Sequence, residues 1–122
     1  MKFLFACIGL IAVSASAADL PTNWNTVRKY DEMRGTPTIK LYLAAAGGAL
    51  LAANAELTFT KRPVLYCQPN TLTLNFDNYV SIFEKAREKQ ISLFEFSKDQ
   101  SLLDTPVEMV LLSGLIETFP CK

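Results

Sequence analysis

Cysteine is the residue of this chain that most directly suggests chemistry, and Cys67 lies near the middle of the sequence in the stretch RPVLYCQPN. A thiol becomes a good nucleophile when a histidine or another cation beside it lowers its pKa. The sequence contains no histidine. We therefore predict that Cys67 is not a catalytic nucleophile.

The other common catalytic and metal-binding patterns are also missing from the sequence. It has no G-x-S-x-G motif, no phosphate-binding loop and no dinucleotide glycine pattern. Without histidine or a carboxylate cluster at loop spacing, a zinc or calcium site has no obvious ligands. Carboxylate pairs such as Asp31 with Glu32 and Glu84 with Glu88 lie among cations. This pattern is typical of a solvated surface and not of an acid–base pair. The sequence thus predicts a binding or structural protein without catalytic residues, metal or cofactor, and not an enzyme.

The first 18 residues have the pattern of a secretory signal peptide. Lys2 precedes an apolar run from Phe3 to Val13, and small residues follow at Ala15 and Ala17. The apolar run is roughly half of the about 20 residues that a membrane span requires. We expect residues 1–18 to be cleaved, the protein to be periplasmic, and no membrane anchor to remain.

Two cysteines, Cys67 and Cys121, remain once Cys7 leaves with the signal peptide. In an oxidising compartment an even pair of this kind indicates one disulfide bond. Closing a loop of about 50 residues contributes about 4 kcal/mol in the chain-entropy model. We expect residues 19–122 to form one domain that this bond stabilises.

The charge balance argues against nucleic acid as a partner. Of the 12 basic residues one, Lys2, lies in the signal peptide, which leaves 11 against 12 acidic residues. No basic patch is large enough to follow a phosphate backbone.

Capping residues, prolines and apolar spacing predict where helices begin and end in the rest of the chain. Thr36 and Pro37 are typical of the start of a helix. The apolar stripe that follows is Ile39, Leu43, Gly47, Leu50, Asn54 and Leu57. Its uncharged part, residues 41–55, is too short to span a bilayer. Gly47 and Gly48 weaken a helix, so we expect a neighbouring backbone to approach them closely, within the chain or from a second molecule.

Three further helices are expected. A weak one surrounds NWNTVRKYDEM, and an amphipathic one carries Phe76, Tyr79, Val80, Phe83 and Ala86 at helical spacing. The last helix is predicted to begin with a capping box formed by Thr105 and Glu108, with Pro106 at its first position. Its apolar sequence predicts that it is covered nearly all round, and Pro120 is expected to end it.

The segment between the last two helices is the candidate contact surface. Helical spacing breaks off after Gln90, and two phenylalanines alternate with polar residues in a short strand or a structured loop. The candidate partner-binding residues are Phe94, Glu95, Phe96, Lys98 and Asp99. The aromatic pair either anchors an interface with a polar rim or closes over the helical core.

In order along the chain, GGALLAANAEL, LYCQP and PVEMVLLSGLIETFPC resemble the Rap/Tai family of periplasmic immunity proteins over residues 36–121. The resemblance implies an all-α, HdeA-like domain of about four helices with one disulfide, Cys67 to Cys121, and often a homodimer. It implies that the protein binds a peptidoglycan amidase effector of type VI secretion and sterically blocks its cleft. The alternative is an HdeA-like acid-stress chaperone or an envelope-maintenance protein.

Overall fold

The structure is a computed structural model that describes residues 25–122, so the expected signal peptide and Trp24 lie outside it. The described part contains four α-helices, and a short 3-10 turn, Gln100–Leu102, joins the last two. They are α1 (Val27–Met33), α2 (Pro37–Phe59), α3 (Phe76–Ser97) and α4 (Val107–Thr118). Residues 25–122 contain no β-strand beyond an isolated bridge between Thr26 and Pro106. The prediction of an all-α domain of about four helices is confirmed.

Helix α2 begins where the sequence predicts. The Thr36 hydroxyl accepts a hydrogen bond from the Ile39 amide, and Pro37 occupies the first turn. The inner face packs against α3 and α4 through the predicted stripe, of which Ile39, Leu43, Gly47 and Asn54 are buried. By length and composition alone, the whole of α2 is long enough and apolar enough to cross a membrane, whereas the sequence argument counted only its uncharged residues 41–55. One such helix is weak evidence for a span; 22% of its most apolar window is buried against the rest of the described chain.

The two central glycines of α2 differ from the expectation. A β-carbon at residue 47 would lie 2.2 Å from Cε1 of Tyr79, so an aromatic ring and not a backbone makes the close approach. A β-carbon at Gly48 would meet nothing within 4 Å. A close approach of two helix backbones occurs instead between α4 and α3. There, a β-carbon at Gly114 of α4 would lie 2.9 Å from the carbonyl oxygen of Ile82 in α3.

Helix α3 begins with a reciprocal cap between Asn75 and Asn78 and buries Tyr79 and Phe83. It continues to Ser97, so the expectation of a loop or strand after Gln90 is wrong. Ile91 packs against the core and Phe94 is half-buried, so the inner face continues almost to the end of the helix. This burial keeps the last two turns helical.

Helix α4 does not begin with the predicted capping box. Its N-cap is Pro106, and no side chain caps it. The Thr105 hydroxyl instead donates to the carbonyl of Ser101 and accepts from the Gln90 amide. The carboxylate of Glu108 accepts hydrogen bonds from the Tyr42 hydroxyl and, at 2.9 Å, from the Asn25 amide.

The expectation that α4 is covered nearly all round is also wrong. Its inner side is buried at Val107, Val110, Leu111, Gly114 and Leu115. Met109 and Ile116 are 55% and 44% exposed. The described chain therefore covers α4 on one side and leaves the other open.

The predicted disulfide joins Cys67 to Cys121. Beside it, the amide of Cys67 donates to the carbonyl of Phe119 at 2.8 Å, and Tyr66 is buried. The side chain of Asn54 in α2 bonds the amide of Leu65 and the carbonyl of Tyr66. These contacts fix the segment between α2 and α3 to both α2 and the C-terminus.

Candidate functional site

The five candidate contact residues lie at the C-terminal end of α3, and we call residues 93–99 the α3 tip. Phe94, Glu95 and Phe96 belong to the last turn of the helix. Lys98 is the C-cap residue, in the left-handed conformation with φ of 60°. Asp99 follows and caps the 3-10 turn. The structure thus brings all five together, on a helix end and not on a loop.

The two phenylalanines have different surroundings. Phe96 is 91% exposed. Phe94 is half-buried, and the Lys98 ammonium lies 6.0 Å from the centre of its ring, the distance of a weak cation–π contact. The expectation that both phenylalanine rings close over the helical core is therefore wrong for Phe96.

Sequence reasoning missed Leu93, which is 56% exposed. It precedes Phe96 by three residues, and residues three apart in a helix share one face. The same face continues as a shallow groove lined by Lys85, Glu88, Lys89, Ser92 and Leu93. Helical spacing would have identified Leu93 if the helix had been predicted to extend past Gln90.

The turn that follows the tip is held by local hydrogen bonds. The amide of Lys98 donates to the carbonyl of Phe94 at 2.7 Å. The carboxylate of Asp99 accepts from the hydroxyl of Ser101 at 2.7 Å and from its amide at 3.0 Å. These bonds stabilise the charged form and hold the pKa of Asp99 below its ordinary value.

The return to α4 is bound to the rest of the fold on two sides. The side-chain amide of Gln90 in α3 donates to the carbonyl of Leu102 at 3.0 Å and to the hydroxyl of Thr105 at 2.8 Å. On the other side, the backbone amide of Arg28 in α1 donates to the carbonyl of Leu103 at 3.0 Å. Residues 102–105, which follow the α3 tip, are therefore fixed to both α1 and α3.

The acidic groups and cavities of residues 25–122 limit which ligands this part of the chain could hold. Residues 25–122 hold no group of three or more histidine, cysteine or acidic residues that fits a metal ion. A cavity of about 50 Å³, lined by Tyr30, Ile39, Tyr42 and Val107 among others, lies near the start of α2. It is far smaller than the roughly 300 Å³ at which ligand pockets begin. The groove along α3 and a hollow lined by Leu72, Ile82 and Phe119 are larger, about 620 and 350 Å³, but both are broadly open to solvent. At the α3 tip itself, the exposed Phe96 lies beside the exposed charged residues Glu95, Lys98 and Asp99.

Comparison of the chain with family models, with curated proteins and with solved structures finds no match. The resemblance to the Rap/Tai immunity proteins therefore stays a prediction that rests on the sequence stretches themselves.

Proposed function

We propose that the protein is a periplasmic immunity protein that binds a peptidoglycan amidase effector of type VI secretion and blocks its active-site cleft with the α3 tip. The observation that carries this proposal is the exposure of Phe96, 91% of which faces solvent at a helix end. Leu93 extends the apolar surface on the same face.

The chemistry of the tip fits an anchor in a concave partner. An aromatic side chain that enters a pocket loses few rotatable bonds and removes much apolar area from water, and such residues carry most of the binding energy of many interfaces. Glu95, Lys98 and Asp99 are exposed around it and supply a polar rim. An enzyme cleft is a concave surface of the kind that a projecting helix end can enter.

The fixed scaffold supports the same proposal. Binding is weakened by the entropy lost when loops and side chains become ordered at an interface. Here the Asp99 turn and the Gln90 contacts fasten residues 99–105, directly after Phe96, to the rest of the fold. The inhibitor does no chemistry in this mechanism; it excludes the peptidoglycan substrate from the cleft.

The second candidate is the acid-stress chaperone, and one observation favours it. Besides the burial of Val27 and Tyr30, a carboxylate helps to hold the short helix α1. Glu84 accepts hydrogen bonds from the Tyr30 hydroxyl and, at 2.8 and 2.9 Å, from the Arg34 guanidinium. Acid weakens ion pairs between carboxylates and guanidinium groups in general, and the pair between Glu84 and Arg34 is one of those that join α1 to α3. Release of α1 would then uncover the core residues Val27 and Tyr30, and exposed apolar surface is what a chaperone needs.

The test is co-purification with candidate amidases. The full chain, expressed with its own leader and tagged at Lys122, is mixed with purified amidase effectors of type VI secreting bacteria under oxidising conditions. We expect a 1:1 complex of protomer and enzyme with one effector class. Absence of any amidase complex, together with binding of unfolded proteins near pH 3, would replace the proposal with the chaperone function.

A further inference from the structure

The strongest feature outside the α3 tip is the solvent-facing side of α2. Exposed residues recur along it at steps of four and three, opposite the stripe that packs on the core. We call this the outer face of α2. It consists of Leu41, Ala45, Gly48, Ala52, Ala55 and Phe59.

The outer face is apolar over its whole length. Leu41 is 59% exposed and Phe59 is 84% exposed. Between Lys40 and Glu56 the helix carries no charged residue. Surface helices of soluble proteins normally present charged residues on their solvent side, so this face lacks a partner within the described chain. A helix that packs on its own protein with one side and is apolar on the other can lay its free side on lipid.

The shape of the outer face differs from that of a contact between two proteins. Alanine and glycine occupy its middle, and the two large side chains, Leu41 and Phe59, lie at its ends, about 27 Å apart along the helix. Contacts between proteins concentrate their binding energy in large side chains near the centre, which fill pockets of the partner. A flat strip with projecting ends requires no matching pocket, and a bilayer offers none.

The area of the outer face also favours lipid over a protein. A helix of 23 residues is about 34 Å long, and a strip about 10 Å wide along it covers roughly 340 Å². A stable contact between two proteins buries roughly 800 Å² on each partner. Attachment to a bilayer has no such threshold, because it scales with the apolar area inserted and is strengthened by attraction between cations and anionic lipids.

Cations lie at the end of the outer face that holds Phe59. Lys61 and Arg62 follow Phe59 and are exposed, and residues 60–75 contain no acidic residue. Glu56 is the acidic residue at this end of α2, so two positive charges stand against one negative charge. The end with the most exposed aromatic ring therefore carries the net positive charge that attracts an anionic lipid surface.

We propose that the outer face of α2 lies on an anionic phospholipid bilayer, with Phe59 inserted between lipids and Lys61 and Arg62 against lipid phosphates. At the opposite end of the face, Lys40 pairs with Asp77 at 3.2 Å and adds no net charge. The contact is peripheral and reversible, because the inner side of α2 stays packed on α3 and α4. It is independent of amidase inhibition, since the α3 tip belongs to another helix.

Flotation of the protein with lipid vesicles tests this contact. The full chain is expressed with its own leader, purified in the oxidised form and mixed with vesicles of phosphatidylethanolamine and phosphatidylglycerol, or with vesicles of phosphatidylcholine alone. We expect the protein to float with the anionic vesicles and not with the neutral ones. Added salt should weaken the binding, because it screens the attraction between cations and lipid phosphates.

Two variants test the apolar part of the contact. Ala52→Glu places a carboxylate in the middle of the outer face and should weaken vesicle binding at least about tenfold. Ala53→Glu is the matched control. Residue 53 is exposed, but it is turned about 100° from residue 52, away from the outer face, so the same charge there should weaken binding far less. Thermal melting verifies that both variants fold.

A second pair of variants tests the charge and leaves the apolar face intact. Loss of one cation near an anionic lipid surface weakens binding about fivefold, so the Lys61→Gln, Arg62→Gln double variant should bind at least about tenfold more weakly. The Lys85→Gln, Lys89→Gln double variant removes the same charge from α3, where Lys89 pairs with Glu117 of α4. It should bind within about twofold of the wild type.

Two results would overturn the proposal. One is a wild-type protein that does not float with vesicles containing phosphatidylglycerol; self-association that Ala52→Glu abolishes would then assign the face to a second copy. The other is equal weakening by Ala52→Glu and Ala53→Glu, which would place the lipid contact elsewhere on the molecule.

Discussion

Gly47 of α2 lies against the ring of Tyr79 of α3 so closely that a β-carbon at residue 47 would fall 2.2 to 2.6 Å from three ring carbons. Tyr79 is 6% exposed and belongs to the core. The ring is enclosed, so it cannot turn away freely as the end of a flexible surface side chain does. Residue 47 is therefore a point of close approach between α2 and α3.

Gly47 and Gly48 form a matched pair for a stability measurement. We expect Gly47→Ala to lower the free energy of unfolding by about 1 to 3 kcal/mol, because the new methyl group overlaps the Tyr79 ring. Gly48→Ala has open space and should raise it by up to about 1 kcal/mol through better helix propensity. Urea unfolding of the two variants at the same low protein concentration measures both. Equal effects of the two variants would show that Tyr79 does not confine residue 47.

The disulfide should supply a large share of the stability. Cys67 and Cys121 are 54 residues apart in sequence, so the bond contributes about 4 kcal/mol by restricting the unfolded chain. We expect the Cys67→Ser, Cys121→Ser double variant to melt well below the wild type, and wild type in reductant to melt with the variant. A melting temperature that reductant leaves unchanged would contradict this.

Stability should fall in alkali because of Tyr30. Burial and the hydrogen bond that its hydroxyl donates to Glu84 raise the pKa of Tyr30 above its ordinary value near 10. The neutral phenol therefore stabilises the folded state fully below about pH 10, and this contribution is lost as the pH rises through the folded pKa.

Tyr30→Phe removes the proton that titrates. Above pH 10, the free energy of unfolding of the wild type should decline more steeply than that of the variant, by up to about 1.4 kcal/mol per pH unit. Urea unfolding at pH 9, 10 and 11 compares the two slopes. Parallel slopes would mean that Tyr30 titrates alike in the folded and unfolded chains.

Most of the fold followed from local signals in the sequence. Thr36 and Pro37 marked the start of α2 because capping and proline geometry depend on neighbouring residues alone. The capping box at α4 failed for the opposite reason. Thr105 and Glu108 have the right spacing, but Gln90 and Tyr42, which are distant in sequence, bind them instead. Tertiary contacts of this kind leave no mark in a local pattern.

The candidate contact segment stays a prediction, and the sequence misjudged its form. The alternation of Phe94, Glu95 and Phe96 resembled a strand, yet packing of Ile91 and partial burial of Phe94 keep the helical period. Once the segment is helical, residues two apart face different directions, so Phe96 projects while Phe94 does not. The same geometry joins Leu93 to Phe96, which the strand interpretation could not do.

The most direct test of the account is a titration of amidase activity on purified peptidoglycan with the wild-type protein, Phe96→Ala and Phe59→Ala. Phe59 is the matched control, because it is 84% exposed but lies at the end of α2, away from the α3 tip. We expect full inhibition at one protomer per enzyme by the wild type and by Phe59→Ala. Phe96→Ala should inhibit at least about tenfold more weakly, the loss expected for an anchor residue. Full inhibition by Phe96→Ala, or no inhibition by the wild type, would contradict the proposed role of the α3 tip.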